Sequence, residues 1–425
     1  MNLRTNFRQQ QCSDALRPRD IATSVREGRT PAGERRIGME VETFCRTASG
    51  RRAEYSGSSD SILEVLRRLQ RELDAEPVFE DDALVGLQSD QGNISLEPGC
   101  QLEWSSPPLK SLDALEQSLR EWNTTRDSVL GNVGLTADAT ALDDCERECD
   151  SWPPKKRYYA MKRRYRSKGP RAWVPMQHTA SIHLSYDYES DVDWMRKFRV
   201  ILSAIPASVA LFANSAARRF GRNWQSCRPL YWHCMDEHRT RLPRQAFATR
   251  FGIDEYAAWA AGIEPMIERD NYGKSTSELA EERLGEIFTP VRSKQLLEVR
   301  VNDRLADDDL PTLAAFWTGL LYDAQSLCEA YHRADWFADR LQWERALLEA
   351  CQQGARTEGV VREQALQLLE LSLAGLSRMA NCSPAVVDGL SAWAERFERN
   401  TAQRPIRSCP PGKSSRSAFC SSVSN

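Results

Sequence analysis

The chain contains no long apolar run. Its most apolar stretch, Val200 to Ala217, is interrupted by Ser203, Pro206, Ser208 and Asn214, short of the roughly 20 apolar residues a membrane-spanning helix needs. No membrane crossing is expected. Residues 1–36 hold eight arginines and four acids but no apolar segment, so a secretory signal is not expected, and an Arg-rich transit peptide gains little support. The 12 cysteines in 425 residues are too sparse for a disulfide scaffold and show no CxxC spacing. Reduced thiols and a cytoplasmic setting follow. Excess charge of one sign is missing too: 57 Lys+Arg against 60 Asp+Glu leave a net charge of −3, which argues against whole-chain disorder and generalised nucleic-acid binding. With 41% apolar and 28% charged residues the composition is that of an ordinary globular protein, long enough for one large core or two to three domains.

No internal repeat is evident. Residues 1–15 are expected to be flexible, residues 16–400 to form one domain, and the Ser- and Pro-rich residues 401–425 to form a disordered tail. Residues 311–397 read as helices: Leu313, Phe316, Trp317, Leu320 and Leu321 fall at helical spacing, as do Leu366, Leu369, Leu373 and Leu376. Ile62, Leu66, Leu69 and Leu73 form another stripe, and Val200, Ile201, Ala204 and Ile205 begin a third. Ile37 to Phe44, Ile94 to Ser105, Thr179 to Tyr188 and Gln295 to Asp303 alternate with period two and predict strands. Strands and helices mixed without a regular βαβ rhythm give an α+β fold with an antiparallel sheet.

The polar faces of those strands carry the chemistry. Residues two apart on a strand point the same way, so Glu40 and Glu42 share a face and repel each other. A cation would offset that repulsion, and hard oxygen ligands suit Mg²⁺. Glu97 and Glu103 could share a face in the same manner, with Pro98-Gly99 introducing a bulge. A third strand offers Glu298 and Arg300, a fourth Ser181, His183 and Ser185. Any one strand alone reads as a solvated outer face. Together they lack lysine and concentrate carboxylates, a histidine and an arginine, which fits a concave sheet holding Mg²⁺ and a nucleotide, with arginines on phosphate oxygens.

Two further segments stand out. Lys155 to Arg171 holds nine Lys/Arg and no acid, interleaved with Tyr158, Tyr159 and Tyr165. Alone it suggests nucleic-acid backbone contact, but the rest of the chain is acidic on balance, so a nucleoside triphosphate or a solvated loop suits it better. In Ser226 to Arg239, zinc ligation by Cys227, His233, Cys234 and His238 matches no familiar tetrahedral spacing. Arg228 and Arg239 read better as carboxylate or phosphate clamps. Cys145 and Cys149 sit among acids, where a nucleophilic role has little support. His178 and His332 have no evident partners and read as structural.

The order of these motifs resembles the plant and proteobacterial type of glutamate-cysteine ligase, the family that includes the first enzyme of actinobacterial ergothioneine synthesis. The resemblance covers roughly residues 16–397. It rests on R-I-G-M-E-V-E-T-F at Arg36 to Phe44, S-L-E-P-G-C-Q-L-E at Ser95 to Glu103, Pro154 to Met161, A-L-F-A-N-S at Ala210 to Ser215, Ser226 to Arg228 with Trp232, Asp236 and Arg239, E-V-R at Glu298 to Arg300, and Phe316 to Asp323. The second element is the most specific. The resemblance implies a glutamine-synthetase-like fold, an antiparallel sheet curved around Mg-ATP, and ATP-dependent phosphorylation of the glutamate side-chain carboxylate followed by displacement of phosphate by the amine of cysteine. By the same resemblance Glu40, Glu42, Glu97, Glu103 and Glu298 would hold Mg²⁺. Arg300 would meet the transferring phosphoryl group, Arg228 a substrate carboxylate or phosphoryl oxygen, and Lys155, Arg157, His183 and Arg239 the nucleotide. The partners implied are small molecules, with no nucleic acid and no membrane, and the assembly a monomer or homodimer. Three departures leave the acid and amine open: Cys100 stands where the family has Gly, His183-Leu184-Ser185 where it has Gln-x-Asn, and Glu281 to Ser293 lacks its D-W-x-x-H element. A related ligase for another acid or amine is therefore the first alternative, and a non-catalytic nucleotide-binding homologue the second.

Overall fold

Period-two alternation builds the sheet. In the computed structural model, which describes residues 16–399 apart from 144–147, 170–171, 249, 267–273, 338 and 381, the strands are β1 (Ile37–Thr47), β2 (Glu76–Glu80), β3 (Ala83–Gln88), β4 (Asn93–Leu96), β5 (Leu102–Ser105), β6 (Leu135–Asp138), β7 (Ile182–Tyr186), β8 (Ala217–Arg219), β9 (Arg222–Trp224), β10 (Val291–Ser293) and β11 (Leu297–Val299). The expectations for residues 1–15, Cys145 and the 401–425 tail lie outside the described residues. Nine strands form one open sheet in the order β10-β11-β7-β1-β5-β4-β3-β2, with β6 on the distal half of β1. Every pairing within it is antiparallel, and β8 and β9 form a separate hairpin. The expected α+β class with an antiparallel sheet is what the chain adopts.

One face of the sheet is apolar. Met39, Val41, Leu102, Trp104, Ile182, Leu184, Leu297 and Val299 are buried against the helices Leu112–Val133 and Asp191–Leu211, and the helix Leu310–Tyr322 packs on the first of these. Full burial of each such aliphatic side chain contributes about 1.5–3 kcal/mol. Because the side-chain period is two, committing these residues to the core turns Glu40, Glu42, Glu103, His183 and Glu298 to the opposite face.

The helical stripes form as expected. Ile62, Leu66 and Leu69 are buried on the helix Ile62–Glu72, which Leu73 ends, and Val200, Ile201, Ala204 and Ile205 lie within Asp191–Leu211. The 311–397 segment folds into Leu310–Tyr322, Ala324–His332, Arg340–Gln353, Gly359–Arg378 and Pro384–Glu398.

Strand lengths need correction. Ile94 to Ser105 is a hairpin and not one bulged strand: β4 and β5 pair, with Ser95 opposite Glu103. Pro98 has no N–H for a ladder, and Cys100 takes the left-handed conformation with φ +63°, so the chain reverses between Glu97 and Gln101. Gly99 is required in that turn, because a Cβ there would lie 2.3 Å from the carbonyl oxygen of Gln177. Gln101 fixes the turn: its amide donates to the carbonyls of Met176 and Thr179 at 3.1 and 2.7 Å, and its side-chain oxygen accepts from Gly99 N–H at 2.9 Å. The expected strand from Gln295 to Asp303 shortens to β11, leaving Arg300 just past its end.

Candidate active site

Register brings the sequence-predicted carboxylates together. Glu40 of β1 lies opposite His183 of β7, Glu42 opposite Glu103 of β5, and Glu298 of β11 opposite Ser185. His183 Nδ1 is 2.7 Å from Glu40 Oε2, its Nε2 is 2.9 Å from Ser181 Oγ, and Ser181 N–H donates to Glu42 Oε2 at 2.7 Å. Ser95 Oγ donates to Glu103 at 2.8 Å. Glu97 sits at the start of the β4–β5 turn, close enough to Glu42 and Glu103 to act on both charges.

The polar face divides into two electrostatic zones. At the β10–β11 edge, Glu298 is 1% exposed and its Oε2 accepts from Arg292 Nε at 2.7 Å and Arg300 Nη1 at 2.8 Å, with Lys294 Nζ 3.6 Å from Oε1. Burial alone would raise its pKa, but Arg292, Lys294 and Arg300 hold it well below the usual carboxylate range. At the β1–β5 side no Lys or Arg among the described residues pairs directly with Glu42 or Glu103, and Arg157 reaches only Glu97, at 3.7 Å. Burial, then repulsion from Glu97, pushes Glu42 up to about 7. Burial together with Glu97, Glu40 and Glu42 raises Glu103 well above its ordinary value. Between the zones, burial and the nearby Arg300 lower His183 to about 4, which makes it a neutral imidazole.

This donor set fits a divalent cation. The ligand atoms of Glu40, Glu103 and His183 lie within 4.8 Å of one another, the single such group among the described residues. Carboxylate oxygens suit Mg²⁺, and Glu103, raised by burial and by the neighbouring carboxylates, is a group whose charge a bound cation would relieve.

Cations flank the carboxylates. Lys155 precedes the helix Lys156–Arg166, and its Nζ donates to Leu96 O at 2.9 Å beside Glu97. Burial and neighbouring Arg157 lower it to about 8. Arg157 lies 3.7 Å from Glu97 and stacks on the Tyr158 ring. Several other charges of this basic segment have carboxylate partners: Lys156 pairs with Asp81, Lys162 and Arg166 with Glu148, and Arg164 with Asp236 and Glu264. Arg228, at the start of the helix Arg228–Met235, is buried and donates to the carbonyls of Val301 and Arg300, both at 3.0 Å. It therefore holds the Arg300 backbone, and burial lowers its pKa to about 10. Arg239 is not brought to this face: it is buried among Tyr165, Arg164, Glu286 and Asp236 and donates to the backbone carbonyls of Glu286 and Glu264.

Sequence reading missed several contributors. Arg292 is the central residue of a strand only three residues long, too short to show an alternation, and Lys294 lies in the bend just past its end. Asp303 was not singled out either, yet its Oδ2 accepts from Asn214 N–H, Ser215 Oγ and Ser226 Oγ at 2.9, 2.8 and 2.7 Å. Ser215 Oγ in turn accepts from Arg228 N–H at 3.0 Å. The A-N-S and S-C-R segments are thereby one anchor that places Arg228. Cys227, His233, Cys234 and His238 form no metal-binding group among the described residues: Cys227 Sγ points to Ala217 O, His233 faces Glu344, and the His238 side chain is 73% exposed. His178 does have partners, Arg52 at 3.2 Å and Asp143 at 3.4 Å, in keeping with a structural role. Beside Arg228 and Arg300 lies a pocket walled by Trp232, His233, Phe288 and Leu347.

Comparison with known proteins gives this geometry a family. The chain matches glutamate-cysteine ligase family 2 over residues 36–392. It is 30% identical over 407 residues to the chloroplastic glutamate-cysteine ligase B of Oryza sativa subsp. japonica, covering 87% of this chain and 79% of the relative. It is equally 30% identical over 404 residues to the chloroplastic glutamate-cysteine ligase of Arabidopsis thaliana, covering 86% and 75%. Among solved structures, the ligase PafA in complex with the prokaryotic ubiquitin-like protein Pup has a TM-score of 0.46 at 12% identity, covering 89% of this chain and 65% of the ligase, so this chain spans less than two thirds of that protein. A GmaS/ADP complex has a TM-score of 0.32 at 12% identity, covering 91% and 73%. The plant relatives are chloroplastic by name; for this chain, no helix among the described residues is long and apolar enough to cross a membrane. The chain belongs to glutamate-cysteine ligase family 2, a nucleotide-using enzyme of the ATP-dependent acid–amine ligase class acting on small molecules.

Proposed function

We propose that this enzyme joins glutamate, through its side-chain carboxylate, to the amine of cysteine, with ATP as phosphoryl donor and Mg²⁺ as the required ion. The observation that carries the reading is the juxtaposition of two under-neutralised carboxylates, Glu42 and Glu103, with Glu97 beside them and a guanidinium, Arg300, on the same polar sheet face. Glu40, Glu42, Glu97 and Glu103 would hold the ions, with Glu298 fixing Arg292 and Arg300 beside them. Bound Mg²⁺ supplies positive charge against the phosphate oxygens. The protein's own part is positioning and charge complementarity. Lys155 and Arg157 face the triphosphate from the turn side, Arg300 faces the phosphoryl group as it passes to the substrate carboxylate, and Arg228 holds Arg300 in place. Neutral His183 keeps Glu40 oriented through Nδ1 and receives a hydrogen bond from Ser181 at Nε2. Arg239 has no part in this arrangement.

The departure at His183 favours one second reading, a related ligase with another acid or amine, because this imidazole occupies the register position opposite Glu40. Phosphate and ADP release by the purified protein with Mg-ATP separates the two. Release requiring both glutamate and cysteine, with γ-glutamylcysteine identified by mass, is the expected result; release with a different pair would replace it with the second reading.

A further inference from the structure

His233 was visible in the sequence only as a member of an ill-spaced zinc quartet. In the fold it lines the pocket that Arg228 and Arg300 also line, with Trp232, Phe288 and Leu347 as its apolar wall. Its helix, Arg228–Met235, packs against Arg340–Gln353, which sets Glu344 Oε1 3.5 Å from His233 Nε2. Glu344 is fixed in turn by Arg340 Nε at 2.7 Å. Arg241 Nε donates to the His233 carbonyl at 2.7 Å, anchoring the turn that carries the imidazole. The charged groups around His233 are thus Arg241, Glu344 and Arg340, with Arg228 and Arg300 across the pocket.

A carboxylate 3.5 Å from Nε2 favours the tautomer protonated there, which leaves Nδ1 as the acceptor nitrogen. Burial and Arg241 keep the ring neutral, with its pKa lowered to about 4. A neutral imidazole in a pocket that Arg228 and Arg300 also line, with a carboxylate beside its second nitrogen, is the arrangement general-base catalysis uses.

We propose that His233 is the general base for the amine half of the reaction, positioned by Glu344; this rests on the acid–amine ligase reading above. The acceptor enters as a free amine and its nitrogen attacks the acyl phosphate made from the nucleoside triphosphate. A C–N bond forms, the acyl C–O bond to the phosphoryl group breaks, and its electron pair leaves with phosphate. Bond formation makes the nitrogen strongly acidic, so even a weakly basic imidazole takes its proton at Nδ1. The imidazolium is stabilised by Glu344 until the proton passes to phosphate or water.

The test compares two acceptors in wild type, His233→Ala and Glu344→Gln, using the full-length protein with Mg-ATP and glutamate. One acceptor is cysteine. The other is hydroxylamine, small enough to leave water beside its nitrogen to receive the proton, which reports acyl phosphate as hydroxamate. In His233→Ala the ratio of amide to hydroxamate formation should fall on the order of 100-fold, and added free imidazole should restore part of it. Glu344→Gln should give an intermediate fall. An unchanged ratio, or a loss that imidazole does not rescue, overturns the assignment. If His233→Ala does not fold, His233→Asn provides the same ratio. Absence of hydroxamate from wild type with glutamate, and with every other acid in a panel, would instead overturn the ligase reading, a failure distinct from that of His233.

Discussion

The two ends of the sheet's polar face handle buried carboxylates in opposite ways. At the β10–β11 edge Glu298 is surrounded by Arg292, Arg300 and Lys294. At the β1–β5 side Glu42 and Glu103 face each other across the register with Glu97 nearby. A buried charge with cations in place is part of the architecture, whereas like charges gathered with neutral donors and too little positive charge describe a place for something that arrives. The first zone is therefore expected to report on folding and the second on ligand.

Substitutions at the two zones should separate these roles. Glu103→Gln and Glu42→Gln should each lower turnover on the order of 10²–10³-fold, the scale of removing one electrostatic element from such a site. Their thermal stability without metal should not fall, because repulsion has been relieved. A metal-free protein that melts earlier after either change would erase the distinction. Glu298→Gln should do the reverse, costing about 3–5 kcal/mol in urea denaturation because it strands buried Arg292, and magnesium should not restore it. Asp303→Ala, which removes the acceptor of three buried donors, should cost about 2–3 kcal/mol and weaken activity through the displaced Arg228.

The zones should also differ in pH response. Glu42 is raised from an ordinary 4.5 to about 7, so the folded state holds a proton that the unfolded state releases. Stability of the metal-free protein should then fall as pH rises between those values. Denaturation midpoints at about pH 5 and 7.5, with chelator and with Mg²⁺, measure the slope, and a slope unaltered by the ion would show that the carboxylate zone does not bind it. The smallest effect belongs outside both zones: His238→Ala, at an exposed side chain, should stay within ±0.5 kcal/mol and leave metal content unchanged.

Legibility in the sequence followed the length of each regular segment. β1, 11 residues long, exposed Glu40 and Glu42 as a same-face pair through period two alone. Glu298 was legible because period-two alternation runs from Gln295 to Asp303, beyond the three residues of β11; Arg292 sits in an equally short β10 with no such flanking run, and Lys294 lies in the bend that follows it. The β4–β5 reversal was misread as a bulge. Pro98 and Gly99 signal a break, yet nothing local states that Cys100 will accept a left-handed backbone, a cost met by the Gln101 hydrogen bonds to a distant segment. Arg239 looked like Arg228 in sequence, both cationic within one polar run. Only packing decided that one holds the Arg300 loop and the other a buried cluster behind it.

The sequence by itself determined the α+β class, the helical stripes, which residues share a strand face, and the motif order that identifies the family. Those properties depend on periodicities of 2 and 3.6 and on residue chemistry, both written locally. Tertiary structure alone decided strand register, and so which carboxylates meet. It also decided that three cations converge on Glu298 while none saturates Glu103, and that His233 meets Glu344 from a helix more than a hundred residues away. Charge–charge energies depend on distance and burial, and neither quantity exists until the chain has packed.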